Sequence, residues 1–213
     1  MTKPVLFDYY RSSAGYRVRI ALNLKGLAYE RVPVNLLKSE QREADYRSRN
    51  PQGLVPTFEH EGRRITQSLA IIDYLEQQVG EPRLVPEDPA DRAHVMGMAL
   101  LIACDVHPLN NLRVLEYLTG PLEQEEEAKN QWIAHWVGEG FAALESIAAD
   151  RAGRFLFGDS PTLADICLVA QMFNARRFNV PLDDYPLLVR ADAEANGLEA
   201  FAAAHPDRVA PEG

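Results

Sequence analysis

Hydrophobic and polar positions keep one period over the first third of the chain and another over the rest. From Pro4 to Tyr9 a short apolar run reads as a strand, and Tyr16 to Lys25 then carries Val18, Ala21 and Leu22 at helical spacing, closed by Gly26. Tyr29 to Val34 reads as a second strand, and the polar stretch Lys38 to Arg49 as a surface helix or loop. Asn50-Pro51-Gln52-Gly53 is a turn and Leu54 to Phe58 a strand. Glu61-Gly62 joins that strand to a short one through Ile65, and a helix starts at Ser68 with Ile71, Ile72 and Leu75 on one face.

The order β-α-β followed by β-β-α predicts a thioredoxin-like mixed sheet over residues 1–80, with Gly80-Glu81-Pro82 opening the linker. Beyond Asp91 the strand signals stop. Apolar residues recur at helical spacing through Ala103, Leu115, Trp132 to Leu144, Leu163 to Phe173 and Leu198 to Ala203, which predicts an all-helical domain over 88–213. The expected fold class is therefore α/β plus all-α, a sheet domain followed by a helical bundle. The acidic run Glu123 to Glu127 reads as the start of a solvated helix, and there is no internal repeat.

Composition narrows the setting. The 213 residues are 46% hydrophobic and 25% charged, as in a globular protein of one or two domains. No apolar run is expected to reach the roughly 20 residues that span a bilayer, and the N-terminus lacks a basic, apolar leader, so a cytoplasmic protein with no membrane partner is expected. Cys104 and Cys167 lie in apolar runs and are expected to be buried thiols, with no disulfide and no metal site. A net charge of -9 disfavours nucleic acid and requires local arginines wherever an anionic small molecule is to bind.

Three motifs of the first domain carry chemistry. Arg11-Ser12-Ser13-Ala14-Gly15-Tyr16-Arg17 lies between the first strand and its helix, where free N–H groups favour an anion such as a thiolate. A serine hydroxyl donating to that thiolate lowers its pKa, although on the Ser12-Ser13 pair alone helix capping is the simpler account. In Gln52-Gly53-Leu54-Val55-Pro56 the proline suggests a cis bond or an unpaired backbone edge, where Val55 could pair with an extended peptide, a plain edge-strand proline being the simpler account. Gln67-Ser68 opens a helix where a carboxylate would meet an amide, a hydroxyl and helix N–H groups.

In this order and spacing the three motifs resemble the glutathione-binding half of glutathione transferases. Arg11-Ser12-Ser13 followed by Tyr16-Arg17-Val18-Arg19-Ile20-Ala21-Leu22 resembles the zeta class, and the likeness runs through both domains. The resemblance implies glutathione as cofactor, with Ser12 and Ser13 at its thiol, Gln52 and Val55 along its backbone and Gln67 with Ser68 at its γ-glutamyl end. It implies a homodimer, a role in aromatic amino-acid breakdown, and cis-trans isomerisation of a maleyl dicarboxylate such as maleylacetoacetate. Maleylpyruvate isomerisation and conjugation of small electrophiles are the alternatives, and a non-enzymatic binding protein of the same fold is disfavoured by the retention of Ser12, Ser13, Gln67 and Ser68. One departure is Ala14-Gly15 where the class has a cysteine after the serine pair, so no protein thiol assists.

In the second domain Pro108 should kink the helical segment Asp105 to Arg113. Carried over by position, the resemblance implies His107 and Asn111 as glutathione contacts, Arg113 facing the substrate, Arg11 beside the serines, and Arg176 on the substrate carboxylate with Arg177 as the fallback. A kinked helix and a dipole-capping arginine pair remain the plain readings. Pro161-Thr162-Leu163-Ala164-Asp165 is a capping box that serves stability. The implied chemistry is reversible thiolate addition to the cis double bond, rotation about the resulting single bond, and elimination to the trans product.

Overall fold

A computed structural model describes residues 3–211. The chain forms two compact units, one comprising the chain up to Arg83 together with the chain from Leu198 onward, the other spanning Leu84–Gly197.

In the first unit β1 (Val5–Asp8), α1 (Ser13–Leu24) and β2 (Glu30–Pro33) make a parallel crossover, with Val5 opposite Glu30. Two short 3-10 turns and α2 (Ala44–Arg49) follow, where the polar stretch left helix or loop open. Antiparallel β3 (Thr57–His60) and β4 (Arg63–Thr66) complete a sheet of order β2-β1-β3-β4. The β3–β4 joint is a two-residue turn in which Glu61 and Gly62 both have positive φ, 50° and 73°, the twist-matched hairpin geometry. α3 (Ser68–Gln78) then returns along the sheet and packs on α1.

Alternation along β1 sorts its side chains. Phe7 joins Val34 and Tyr46 in a cluster on one face, while Leu6 and Asp8 are wholly buried. Asp8 pairs with Arg19 of α1, itself wholly buried, and Arg19 also donates to Tyr10 O (2.9 Å) and Ala204 O (3.1 Å). Burial pushes the Asp8 carboxyl above its ordinary range, and the guanidinium opposes it. Gly15 lets the helix approach this pair closely, because a Cβ there would lie 3.0 Å from Asp8 Oδ2. Lys25 clamps the other end, bonding to Glu76 (2.7 Å) and to the carbonyls of Val79 and Pro82.

The second unit is helical: α4 (Pro89–Leu100), a π turn (Leu101–Val106), a 3-10 turn (His107–Asn110), α5 (Leu112–Thr119), α6 (Glu126–Ala148), α7 (Leu163–Arg177) and α8 (Pro186–Asn196). The remaining helix, α9 (Glu199–Ala204), packs on α1 in the first unit, with Asn23 donating to Ala200 O. The capping box is formed: Thr162 N–H and hydroxyl both donate to Asp165 Oδ2 and Leu156 N–H to Oδ1.

Four expectations are corrected. The strand expected over Leu54–Phe58 starts only at Thr57, because Leu54 and Val55 form the loop that enters β3. Cys104 is exposed, whereas Cys167 is buried as expected. Departure from α-helical winding begins at Leu101, about two α-helical turns before Pro108. Finally, the helical run Pro89–Thr119 does reach bilayer length, with a mean hydropathy of 1.2 in its most apolar window. Its inward residues Val95, Met98, Ala99, Ile102 and Val106 are packed into the helical unit, so the apolar content serves a protein core on one side.

Candidate functional site

The N-terminus of α1 divides the work between two serines. Ser12 is the N-cap, its Oγ accepting from Gly15 N at 3.1 Å. Ser13 is the first helical residue, 5% exposed, and its hydroxyl enters no hydrogen bond among the described residues. The capping account therefore holds for Ser12, while Ser13 keeps a donor for an anion lying at the helix end. Arg11 is exposed, its guanidinium 5.0 Å from the centroid of the Tyr10 ring.

The loop before β3 leaves one residue's backbone open. Asn50 Nδ2 and Tyr46 Oη each donate to Leu54 O at 2.7 Å, and the Asn50 side chain accepts from Gln52 N at 3.1 Å. Gly53 takes φ 63° with a virtual Cβ only 3.0 Å from Gln41 O, so a side chain there would be strained and crowded. The Val55–Pro56 bond is cis, as one of the two readings of the proline had it. With its neighbours held, Val55 contributes neither N–H nor C=O to the hydrogen bonds among the described residues. An extended peptide finds here one donor and one acceptor on the same residue.

Beside it Gln67 Nε2 donates to Gln52 Oε1 at 2.8 Å, bringing those two predicted residues together. Gln67 has φ 69°, a left-handed conformation unusual outside glycine that turns the chain into α3. Ser68 begins that helix, 6% exposed, and Arg17 Nη1 lies 3.5 Å from its Oγ. Arg17 is 1% exposed and places a positive charge under the α3 N-terminus, which already favours a carboxylate. Sequence reasoning missed Arg17, Asn50 and Tyr46. The buried face of α1 offered a signal for Arg17, since an arginine lies among its apolar positions.

In the helical unit Asn111 caps α5, its Oδ1 accepting from Arg113 N at 3.2 Å. Arg113 is exposed, and His107 opens the preceding 3-10 turn. Arg176 and Arg177 end α7; Arg176 pairs with Asp192 at 2.7 Å, whereas Arg177 lies 5.2 Å from the Phe178 ring centroid.

A peptide with a carboxylate at one end and a thiol further along fits the first unit. The α3 N-terminus with Gln67, Ser68 and Arg17 suits the carboxylate, Val55 the backbone, and Ser13 the thiol.

Comparisons with known proteins point the same way. Residues 6–83 match the family model described as glutathione S-transferase, N-terminal domain, and residues 130–203 the C-terminal domain model. The chain is 48% identical over 208 residues to a maleylacetoacetate isomerase of Rhizobium meliloti, covering 97% of this chain and 98% of that protein. It is 44% identical to a maleylpyruvate isomerase of Ralstonia, covering 94% and 96%. Among solved structures, a maleylpyruvate isomerase described as a bacterial zeta-class glutathione S-transferase superposes with a TM-score of 0.96 at 42% identity, covering 98% of this chain and all of that one. A maleylacetoacetate isomerase from Anaeromyxobacter dehalogenans with glutathione bound in its active site gives 0.89 at 42% identity, covering 99% and 98%.

Proposed function

The chain belongs to the glutathione S-transferase family, and from that membership we propose that it is a cytoplasmic, glutathione-dependent cis-trans isomerase of maleyl dicarboxylates, with maleylacetoacetate as substrate. The observation that carries this reading is the Ser12-Ser13 turn, where one serine caps α1 and the other has its hydroxyl unengaged among the described residues at the helix N-terminus.

Gln67, Ser68 and the buried Arg17 hold the γ-glutamyl carboxylate in this reading, and Val55 pairs with the cysteinyl backbone. When bound, glutathione supplies the thiolate that adds reversibly to the cis double bond and lets it rotate. Ser13 stabilises that thiolate by donation, and the N-terminal dipole of α1 adds to the effect. Ser12 fixes the turn that aims Ser13. His107 and Asn111 contact the cofactor, Arg11 and Arg113 attract the dianion and stabilise charge developing on its oxygens, and Arg176 takes a substrate carboxylate. The arginines reverse the field of a chain whose net charge is -9.

The test is isomerisation of maleylacetoacetate and of maleylpyruvate, each with and without glutathione. Expected is strict glutathione dependence and the higher kcat/KM with maleylacetoacetate. A higher value with maleylpyruvate would reassign the substrate. No isomerisation of either, with conjugation of neutral electrophiles intact, would remove the isomerase reading.

A further inference from the structure

Two arginines end α7, and the structure treats them differently. Arg177 lies against the ring of its neighbour Phe178. Arg176 reaches across to α8, where its Nη2 pairs with Asp192 Oδ2 at 2.7 Å. The two sides of this pair differ in exposure: the Arg176 side chain is 47% exposed, that of Asp192 only 3%.

That asymmetry sets the pair apart from an ordinary surface ion pair, in which two mobile side chains gain little by meeting. Asp192 is not mobile. Asn196, one turn on along α8, donates its Nδ2 to both Asp192 O (2.8 Å) and Asp192 Oδ1 (3.0 Å), and α8 is packed on α7. The carboxylate is therefore a fixed post at the base of the guanidinium. The favourable end of the α7 dipole would accept either arginine in many conformers, so the dipole does not explain why one of them is fixed. Asp192 does not serve solubility either, since almost none of it reaches water.

We propose that Asp192 is the positioning residue for Arg176, holding one edge of the guanidinium so that the exposed remainder is preset to receive a substrate carboxylate. The inference rests on the reading of Arg176 as the residue that takes this carboxylate. Arginine has five N–H donors in one plane, and contact through Nη2 leaves Nη1 and its neighbours for a second carboxylate. An arginine immobilised beforehand does not lose its rotamer freedom when substrate arrives, which strengthens binding without altering the bond-making step. The expected signature is thus a change in KM with little change in kcat.

The experiment is a double-mutant cycle on isomerisation of the maleyl dicarboxylate by the full chain with glutathione, using D192N, R176A and the double variant. D192N should raise KM about tenfold with kcat changed less than about twofold. In the R176A background D192N should shift KM by less than about twofold, because a post with nothing to hold has no effect. D192E, which keeps the charge and moves the carboxylate by one methylene, should give an intermediate KM. If D192N does not fold, D192E decides alone: a raised KM supports the proposal and a wild-type KM overturns it. A wild-type KM in D192N beside an impaired R176A, or equal effects of D192N in both backgrounds, also overturns it. If R176A itself isomerises like the wild type, the reading of Arg176 fails first, and the proposal with it.

Discussion

A hydroxyl changes the reactivity of a thiol only if its proton is free to be donated, and the two serines after β1 differ in what surrounds that proton. Ser12 Oγ is occupied as an acceptor by Gly15 N, whereas Ser13 Oγ has no hydrogen-bond partner among the described residues. Removing a hydrogen bond to a charged group costs about 1.5 to 3 kcal/mol. Ser13→Ala should therefore raise the thiol pKa of bound glutathione by roughly one to two units and lower kcat about 10- to 100-fold. Glutathione affinity should move little, because Val55, Gln67 and Ser68 hold the peptide. Titration of thiolate absorbance in the complex checks this, and an unchanged pKa would refute it. Arg113 is exposed and, among the described residues, has no structural partner comparable to Asp192, so its substitution isolates the electrostatic role. Arg113→Ala should weaken transition-state binding of a dianionic substrate by roughly 2 to 4 kcal/mol and that of a neutral electrophile by much less. Equal losses would return Arg113 to an ordinary surface residue. Much of the candidate site in the first unit was legible at this scale, because serine pairs, Val-Pro and Gln-Ser carry their chemistry in their side chains or their dihedral limits. Arg17 was only half legible: its place among the apolar positions of α1 marks it as buried, but only the tertiary packing of α3 on α1 puts it under Ser68.

At the scale of elements, alternation and helical spacing located β1, β2, α1 and α3 within a few residues, since each buries one face. They misplaced two boundaries for the same reason, namely that tertiary contact, and not local pattern, decides them. The loop 50–56 belongs to Asn50 and Tyr46, which hold Leu54 out of the strand. The break before Pro108 belongs to α6. There Gly140 faces the π turn so closely that a virtual Cβ would lie 2.1 Å from Val106 Cγ2. Valine is stiff at χ1 and cannot swing away. Gly140→Ala gains helix propensity of about 1 kcal/mol but overfills a packed contact, which costs typically about 1 to 3 kcal/mol. A net loss of about 1 kcal/mol is expected, with a fall in Tm of roughly 2 to 4 °C. Calorimetry reads this directly, and an unchanged or higher Tm would mean that the π turn does not depend on the missing side chain.

For the whole molecule, the switch from mixed sheet to helices was legible because the hydrophobic period changes once, near the linker. The return of α9 to the first unit was not, since Arg19 and Asn23 reach backbone carbonyls of Ala204 and Ala200 that carry no sequence signal. Assembly can be argued from what α4 and α6 leave uncovered. The two helices pack on each other, yet Leu100 is 40% and Ile147 41% exposed, beside the small exposed residues Gly97, Cys104 and Ala143. Nearby, α6, the π turn and the 3-10 turn border a hollow of ≈ 460 Å³ lined by Leu101, Cys104, Pro108, Trp136 and Ala143 together with the carboxylates Asp105 and Glu139. Exposed large apolar side chains next to small ones let a second copy approach closely, and a two-fold interface needs only one such self-complementary face. We expect a homodimer at micromolar concentration, with twice the chain mass in light scattering. A charge in a desolvated interface centre is strongly unfavourable, so Leu100→Glu and Ile147→Glu should each give the monomer mass with unchanged helical circular dichroism. A monomeric wild type would refute the dimer, and dimers in both variants would move the interface to another face.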